Sequence, residues 1–330
     1  MPKSLARRAI LVGAALASAA ALASSAVAQD KITLRLSSPA SATDQRAVAL
    51  TEVFAPAVAD FANFEGHWNA SLFKQGTELE AIARGNLEMS ITSAQELAVF
   101  FPEFSIFTAG YLHRDAAHQV AVFNSELMDP FKQKVEDELG VKLLTVMYLG
   151  RRHLNLRGDK KIMTPADLEG VKLRMPGTDA WQFLGSALGA SPTPMAFTEV
   201  YTGLQTGAID GQDNPLPTDK DAKFYEVTNQ IVLTSHLVDL NYLAISKELF
   251  DGLDPEQQAT IQKAADDAAE SARQQQLALE DELVQFFKDE GLEVYEPDID
   301  AFRSHVQQMY LESEYANDWP EGLVEKINAL

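Results

Sequence analysis

Ile32, Leu34 and Leu36 alternate with Thr33 and Arg35, a period of two that predicts a half-buried strand early in the chain. A helix is expected from about Asp44 to Ala62, a strand over Glu65–Trp68, a helix from Thr77 to Gly85 and a strand over Leu87–Thr92. Leu143 to Tyr148 is a strand-like run. Beyond the break at Gly150, Arg152 falls in phase with Leu154 and Leu156, while Arg151 and His153 fall on the opposite face, read as a solvated edge. In VKLRMP, Val171, Leu173 and Met175 alternate with Lys172 and Arg174, so Arg174 leaves its strand on the polar face just before the Pro176-Gly177 turn. A short strand is expected over Ala208–Asp210. Asp254-Pro255-Glu256-Gln257 carries a capping carboxylate, a proline at the first helical position and a glutamine at the third, and predicts a helix to about Asp289. At 1.5 Å per residue such a helix is about 50 Å long, which outreaches one lobe. Strands alternating with helices imply an α/β fold whose ligands sit at strand ends or between lobes.

The first residues place Lys3, Arg7 and Arg8 before an apolar run from Ala9 to about Ala23, followed by Ala26-Val27-Ala28, a small-x-small cleavage pattern. Residues 1–28 read as a cleaved secretory signal of the Sec type, since Ala9-Ile10-Leu11 fits a twin-arginine motif poorly. No cysteine follows to take a lipid anchor, and no later stretch approaches about 18 apolar residues. The formal charge is −21, and loss of the three cations of the signal takes it to −24, which argues against a nucleic-acid partner. The chain has no cysteine, hence no disulfide, thiol nucleophile or thiolate zinc site. It has no Ser/His/Asp order, HExxH or phosphate-binding loop, and its six histidines are scattered. No catalytic residue, metal or cofactor is expected.

The chemistry concentrates in residues 167–217. Guanidinium is planar, always charged and forked, so Arg174 at a strand end can meet a carboxylate with two parallel hydrogen bonds. Arg152, on an apolar face, needs an anion, either a ligand or an internal Asp or Glu. Asn214, in DGQDNP, suits either a turn or a ligand contact, and Asp213 beside it offers a carboxylate. Phe197 precedes a helix that Thr198 can cap. Trp181 sits early in the helix after Arg174 and either packs or walls a pocket. Strand ends of the amino-terminal half add Ser38, Gln75, Ser93 and Glu96 as candidate selective contacts.

LRMPG, SPTPMAFTEVYTGLQTG and DGQDNP, with LFKQGTELEAIARGNLEM, FFPEFSIF and GRRHLN before them, closely resemble the substrate-binding subunit of tripartite ATP-independent periplasmic (TRAP) transporters, the DctP-like family. The likeness runs over nearly the whole chain after the signal. It implies a two-lobed periplasmic binding protein with a ligand cleft between the lobes and a long helix lying across both. Lobe I is expected to comprise 29–149 plus about 240–279, and lobe II 150–239 plus about 280–330, with crossings near Leu149 and Leu240. It implies Arg174 as the main carboxylate-binding residue, Arg152 as a second substrate arginine, Asn214 on the carboxylate or a neighbouring hydroxyl, and Phe197 packed on the ligand. A metal-assisted branch has a cation at the position of Asp213. The sialic-acid-binding branch has an acid where this chain has Ser93 and a base where it has Glu96, a departure from amino-sugar specificity. The implied function is capture of a small carboxylate, such as a C4-dicarboxylate, hydroxy acid or sugar acid, by a monomer that hands it to a small and a large membrane subunit. The rival reading is a secreted enzyme acting on organic acids.

Overall fold

The computed structural model of the protein describes residues 31–330, so the expected export signal lies outside the described residues. Among them the chain builds one nine-stranded sheet: β1 Ile32–Ser37, β2 Ala62–His67, β3 Met89–Ser93, β4 Val141–Leu156, β5 Lys172–Met175, β6 Ser191–Pro194, β7 Gly211–Pro215, β8 Gln230–Ser246 and β9 Glu293–Tyr295. The spatial order is β2-β1-β3-β8-β4-β7-β5-β6, with β9 also on β8. β4 and β8, 16 and 17 residues long, are antiparallel and run the length of the molecule. Near one end β8 carries β3, at residues 241–245; near the other it carries β9, at residues 230–232. β7 joins β4 only at residues 152–156. The two lobes therefore share two strands, and each adds its own strands to one end of that pair.

The ladder between β4 and β8 slips between Leu143 and Thr145, between Tyr148 and Gly150, and between Arg152 and Leu154. Gly150, with φ of +132°, sits at the middle slip. A Cβ there would stand 2.6 Å from both a Glu280 carboxylate oxygen and Pro215 Cβ, so only glycine fits. At the third slip the extra residues lie on β8, between Val232 and Leu237, while Arg152–Leu156 pair with β7 without interruption; both faces of this part of β4 are covered, so the solvated-edge expectation fails for His153. His153 is buried and its Nδ1 accepts the Ser235 N–H at 3.2 Å; burial pushes its pKa down to about 3, so the ring is neutral. Arg151 is half-buried, as expected of neither a core nor a free edge residue.

The long helix spans Pro255–Asp289, 35 residues, and begins as expected: the Asp254 carboxylate accepts Glu256 N–H and Gln257 N–H at 3.0 and 2.9 Å. Its first half lays Ile261, Ala264, Ala265, Ala268 and Ala272 on the core of β1, β3 and the adjoining parts of β4 and β8. Its second half lays Leu283 and Phe287 on Leu216 and Ile231 at the other end. Between the two, Gln276 donates to Leu149 C=O, and the Glu280 carboxylate accepts Tyr148 O–H and, at 2.7 Å, Arg151 N–H. The small alanines let the helix lie close to the sheet, and its polar middle grips the slip in β4.

Three boundaries differ from expectation. The first helix stops at Val58 and β2 starts at Ala62, because Ala62–Phe64 pair with Ile32–Leu34. The strand near residue 210 is Gly211–Pro215 rather than Ala208–Asp210. All five of its residues are buried, so it lacks the alternation that marks a half-exposed strand. Thr198 caps nothing; Phe197–Glu199 is a 3₁₀ turn in which Glu199 takes the Ala196 N–H at 3.3 Å.

Candidate functional site

Where β3, β4, β7 and β8 pass the slip, they line a cleft whose empty space, open solvent at its mouth included, is about 680 Å³. The half built on β1 and β3 contributes Ser38, Gln75, Ser93 and Glu96. The other half contributes Arg152, Arg174, Trp181, Phe197 and Asn214. Of the sequence candidates, only Asp213 stands outside the lining, directly behind Arg152.

The two arginines differ sharply. Arg152 is 3 % exposed and meshed with acids: Nε donates to Asp213 Oδ2 at 2.6 Å, Nη2 to Asp213 Oδ1 at 3.0 Å and to its carbonyl, and Nη1 to Asp239 Oδ2 at 2.8 Å. A guanidinium has five N–H groups, so one Nη1–H remains for anything else. Its plane lies 4.6 Å over the Trp181 ring. Arg174 is 1 % exposed, donates only Nε, to Met195 C=O at 2.8 Å, and leaves Nη2 without a partner. Among the described residues no carboxylate lies within ion-pairing distance of it. Burial, with the like charge of Arg152 adding, depresses its pKa below the ordinary arginine value. A buried cation with an empty fork is costly unless something brings it an anion.

Asp213 completes the scaffold behind the arginines. Its second oxygen partner is His236 Nε2 at 3.0 Å, and His236 Nδ1 meets Thr234 Oγ1 at 2.7 Å. Both carboxylate oxygens are thus engaged by the protein, an arrangement that orients Arg152. Asn214 donates Nδ2 to Gln212 Oε1 at 2.5 Å, and Gln212 Nε2 donates to Asp219 Oδ1 at 2.8 Å, which fixes the Asn214 amide at the cavity wall. Phe197 stands 5.9 Å from the Arg174 guanidinium.

On the opposite wall Ser93 caps the short helix Ala94–Leu97: its Oγ accepts Glu96 N–H at 3.1 Å, and Glu96 Oε2 accepts Ser93 N–H at 2.8 Å and Thr92 O–H at 3.0 Å. Ser38 Oγ accepts the Ala40 N–H at 3.2 Å. Gln75 reaches across the cleft, its Oε1 accepting Phe197 N–H at 3.0 Å. Ser41 and Thr43 hydroxyls likewise bond Asp221 from the other side, so the two walls touch at the mouth.

Sequence reasoning missed Asp44, Arg46, Asp239 and Asn241. Arg46 pairs with Asp44 at 2.8 Å and donates to Asn241. Asp239 and Asn241 stand two apart between Val238, Leu240 and Tyr242, and polar residues at period two in an otherwise apolar central strand were the available signal.

Behind Glu96 lies Glu78, 4 % exposed, with Oε1 unpartnered. Burial, and then the charge of Glu96, push its pKa up to about 8 from the ordinary 4.5. The folded state therefore keeps a proton that the unfolded chain gives up, so this residue subtracts stability as pH rises from 4.5 to about 8. Glu78→Gln is expected to remove that decline. Calorimetric melts should place the variant above the parent at pH 8 and level with it near pH 4.5; a gap independent of pH would contradict a protonated Glu78.

A cleft between two lobes, with one buried cation left open to an anion, defines a binding protein for a small carboxylate-bearing solute. The family model for DctP, bacterial extracellular solute-binding protein, family 7, matches residues 59–317, and the chain belongs to that family. It is a periplasmic solute-binding protein of the TRAP type. A solved TRAP solute-binding protein of Roseobacter denitrificans, with bound 3-deoxy-D-manno-oct-2-ulosonic acid (KDO), is 70 % identical, with a TM-score of 0.90 over 91 % of this chain and 99 % of that one. The sialic acid-binding periplasmic protein of Vibrio cholerae is 31 % identical over 79 % of this chain and 80 % of its own. The 2,3-diketo-L-gulonate-binding periplasmic protein of Escherichia coli is 31 % identical over 74 % of each. These relatives are solute-binding proteins, and their named ligands are sugar acids. Among the described residues no helix is long and apolar enough to cross a membrane.

Proposed function

We propose that this chain captures KDO, or a sugar acid of the same 3-deoxy-2-keto type, and delivers it as a monomer to the small and large membrane subunits of a TRAP transporter without turning it over. The observation that carries this reading is Arg174, a buried cation with no anion of its own in a cavity whose other arginines, Arg46 and Arg152, are already paired and whose walls add hydroxyl, amide, carboxylate and aromatic groups. The likeness to the KDO-bound relative supports this choice of acid.

In this reading the ligand carboxylate takes the open fork of Arg174, with Asn214 and the remaining Arg152 N–H beside it. Phe197 and Trp181 cover the apolar edge of the sugar, and Ser38, Gln75, Ser93 and Glu96 meet hydroxyls from the other lobe. The lobes are taken to meet at crossings near Leu149 and Leu240, a reading supported by the slip of β4 at Gly150 opposite Asp239. Only the closed state makes both sets of contacts, so ligand favours closure.

Titration calorimetry with KDO tests the reading against galactonate, galacturonate, sialic acid and succinate. One mole of KDO per mole of protein, the tightest affinity of the set and no product by NMR are expected. At 100 times its dissociation constant KDO should stabilise the fold by about 2.7 kcal/mol. Absence of heat and of thermal shift with millimolar KDO would overturn the assignment, and turnover of the acid would favour an enzyme.

A further inference from the structure

We propose that Glu96 restricts the site to monoanions, so that a sugar acid fits and the same acid with a second anionic group is refused. The inference rests on the proposed reading of the cavity as a sugar-acid site and adds to it a charge rule.

The rule follows from which lining charges are already balanced. Arg46 is tied to Asp44 at 2.8 Å, and Arg152 to Asp213 and Asp239 at 2.6 and 2.8 Å. Arg174 alone among the lining cations lacks a carboxylate partner. One ligand carboxylate satisfies it, and among the described residues no second lining cation is unpaired. The opposite wall has the reverse imbalance. Glu96 faces the cavity and its neighbouring recess, with one oxygen held by Ser93 N–H and Thr92 O–H. No cation lies within ion-pairing distance of it among the described residues. Its other oxygen has no protein partner and can accept a ligand hydroxyl. Glu78 behind it is also without a cation, and burial, with the charge of Glu96 adding, raises its pKa to about 8. A second anionic group on the ligand would add another such charge, with little water to screen it.

The phosphate ester on the terminal hydroxyl of KDO carries the same skeleton with the extra charge, and it is compared with KDO by calorimetry on the parent and on Glu96→Gln. Glutamine at this position keeps the cap, since its carbonyl oxygen still accepts Ser93 N–H and Thr92 O–H. The parent is expected to bind the ester at least about 100-fold more weakly than KDO, and Glu96→Gln to narrow that ratio, taken within the variant, at least about tenfold, whatever affinity for KDO the variant loses. An ester that binds the parent within tenfold of KDO would overturn the charge rule without touching the sugar-acid reading. A gap unchanged in Glu96→Gln would overturn it too, and would assign the refusal to size. Failure of KDO itself to bind the parent would instead remove the sugar-acid reading, and the rule with it.

Discussion

Arg174→Met is expected to abolish ligand binding and at the same time raise the melting temperature of the ligand-free protein. The two effects have one cause. The guanidinium is 1 % exposed, has one hydrogen bond to Met195 C=O and lacks a counter-charge, so the empty protein carries an uncompensated buried cation. Replacing buried charge by an apolar side chain of similar length is stabilising by about 1 to 4 kcal/mol where packing is kept. That is several degrees in a protein of this size, at about 2 to 4 °C per kcal/mol. The same substitution removes the partner of the ligand carboxylate, a loss of about 3 to 5 kcal/mol, or roughly a hundredfold to a few thousandfold in affinity. Arg174→Lys keeps the charge and loses the fork, and should weaken binding by more than about tenfold. Calorimetry of binding and of melting reads both effects. An affinity kept within tenfold in Arg174→Lys, or a destabilised Arg174→Met, would make this arginine a structural residue.

Asp213→Asn should have the opposite signature, a large loss of stability that precedes any question of binding. Asp213 anchors Arg152 through two oxygens and receives His236 as well, all within the core. Breaking such a group from one side costs about 3 to 5 kcal/mol, because the cation stays buried with Asp239 as its one remaining counter-charge. Burial alone would raise the pKa of Asp213; the charge of Arg152 and the hydrogen bonds from His236 and Arg152 outweigh it and hold the carboxyl well below the usual carboxylate range. Stabilisation of this kind is fully present above the unfolded pKa of 3.8 and is lost as pH falls below it toward the folded value. The melting difference between parent and Asp213→Asn should therefore be full at pH 7 and shrink below 3.8. A difference of less than about 1 kcal/mol at pH 7 would show that the network is dispensable.

The sequence made these two arginines visible for different reasons. Arg174 was legible because VKLRMP alternates cleanly and ends in a Pro-Gly turn, and the strand is as regular as its pattern. Arg152 was legible as an arginine needing an anion, but a single sequence could not say that Asp213 and Asp239, 61 and 87 positions away, supply it. The face of His153 was taken as solvated, but β8 bulges between Val232 and Leu237 and its Ser235 N–H covers the ring, a contact some 80 positions away that no local pattern announces. The long helix was fixed by local chemistry, a cap at one end and Glu290-Gly291 at the other. β7 was hidden because a central strand with both faces buried, and polar side chains bonded to one another, carries no periodicity. Asp44 and Arg46 share a helix start whose importance depends on Asn241, nearly 200 positions on.

The shared strands also govern how this chain can fold. β4 pairs residues 141–156 with residues 230–246, and the last helices are stitched to the middle of the chain, with Tyr310 O–H on Thr108 C=O, Trp319 Nε1 on Ser105 Oγ and His118 on Ile327 C=O. Neither lobe can close its sheet until β8 has been made, and the 105–118 segment waits for the final residues. Loop-closure entropy is thus met before most native contacts repay it, which places this topology among slow folders and leaves the partly synthesised chain without a finished core.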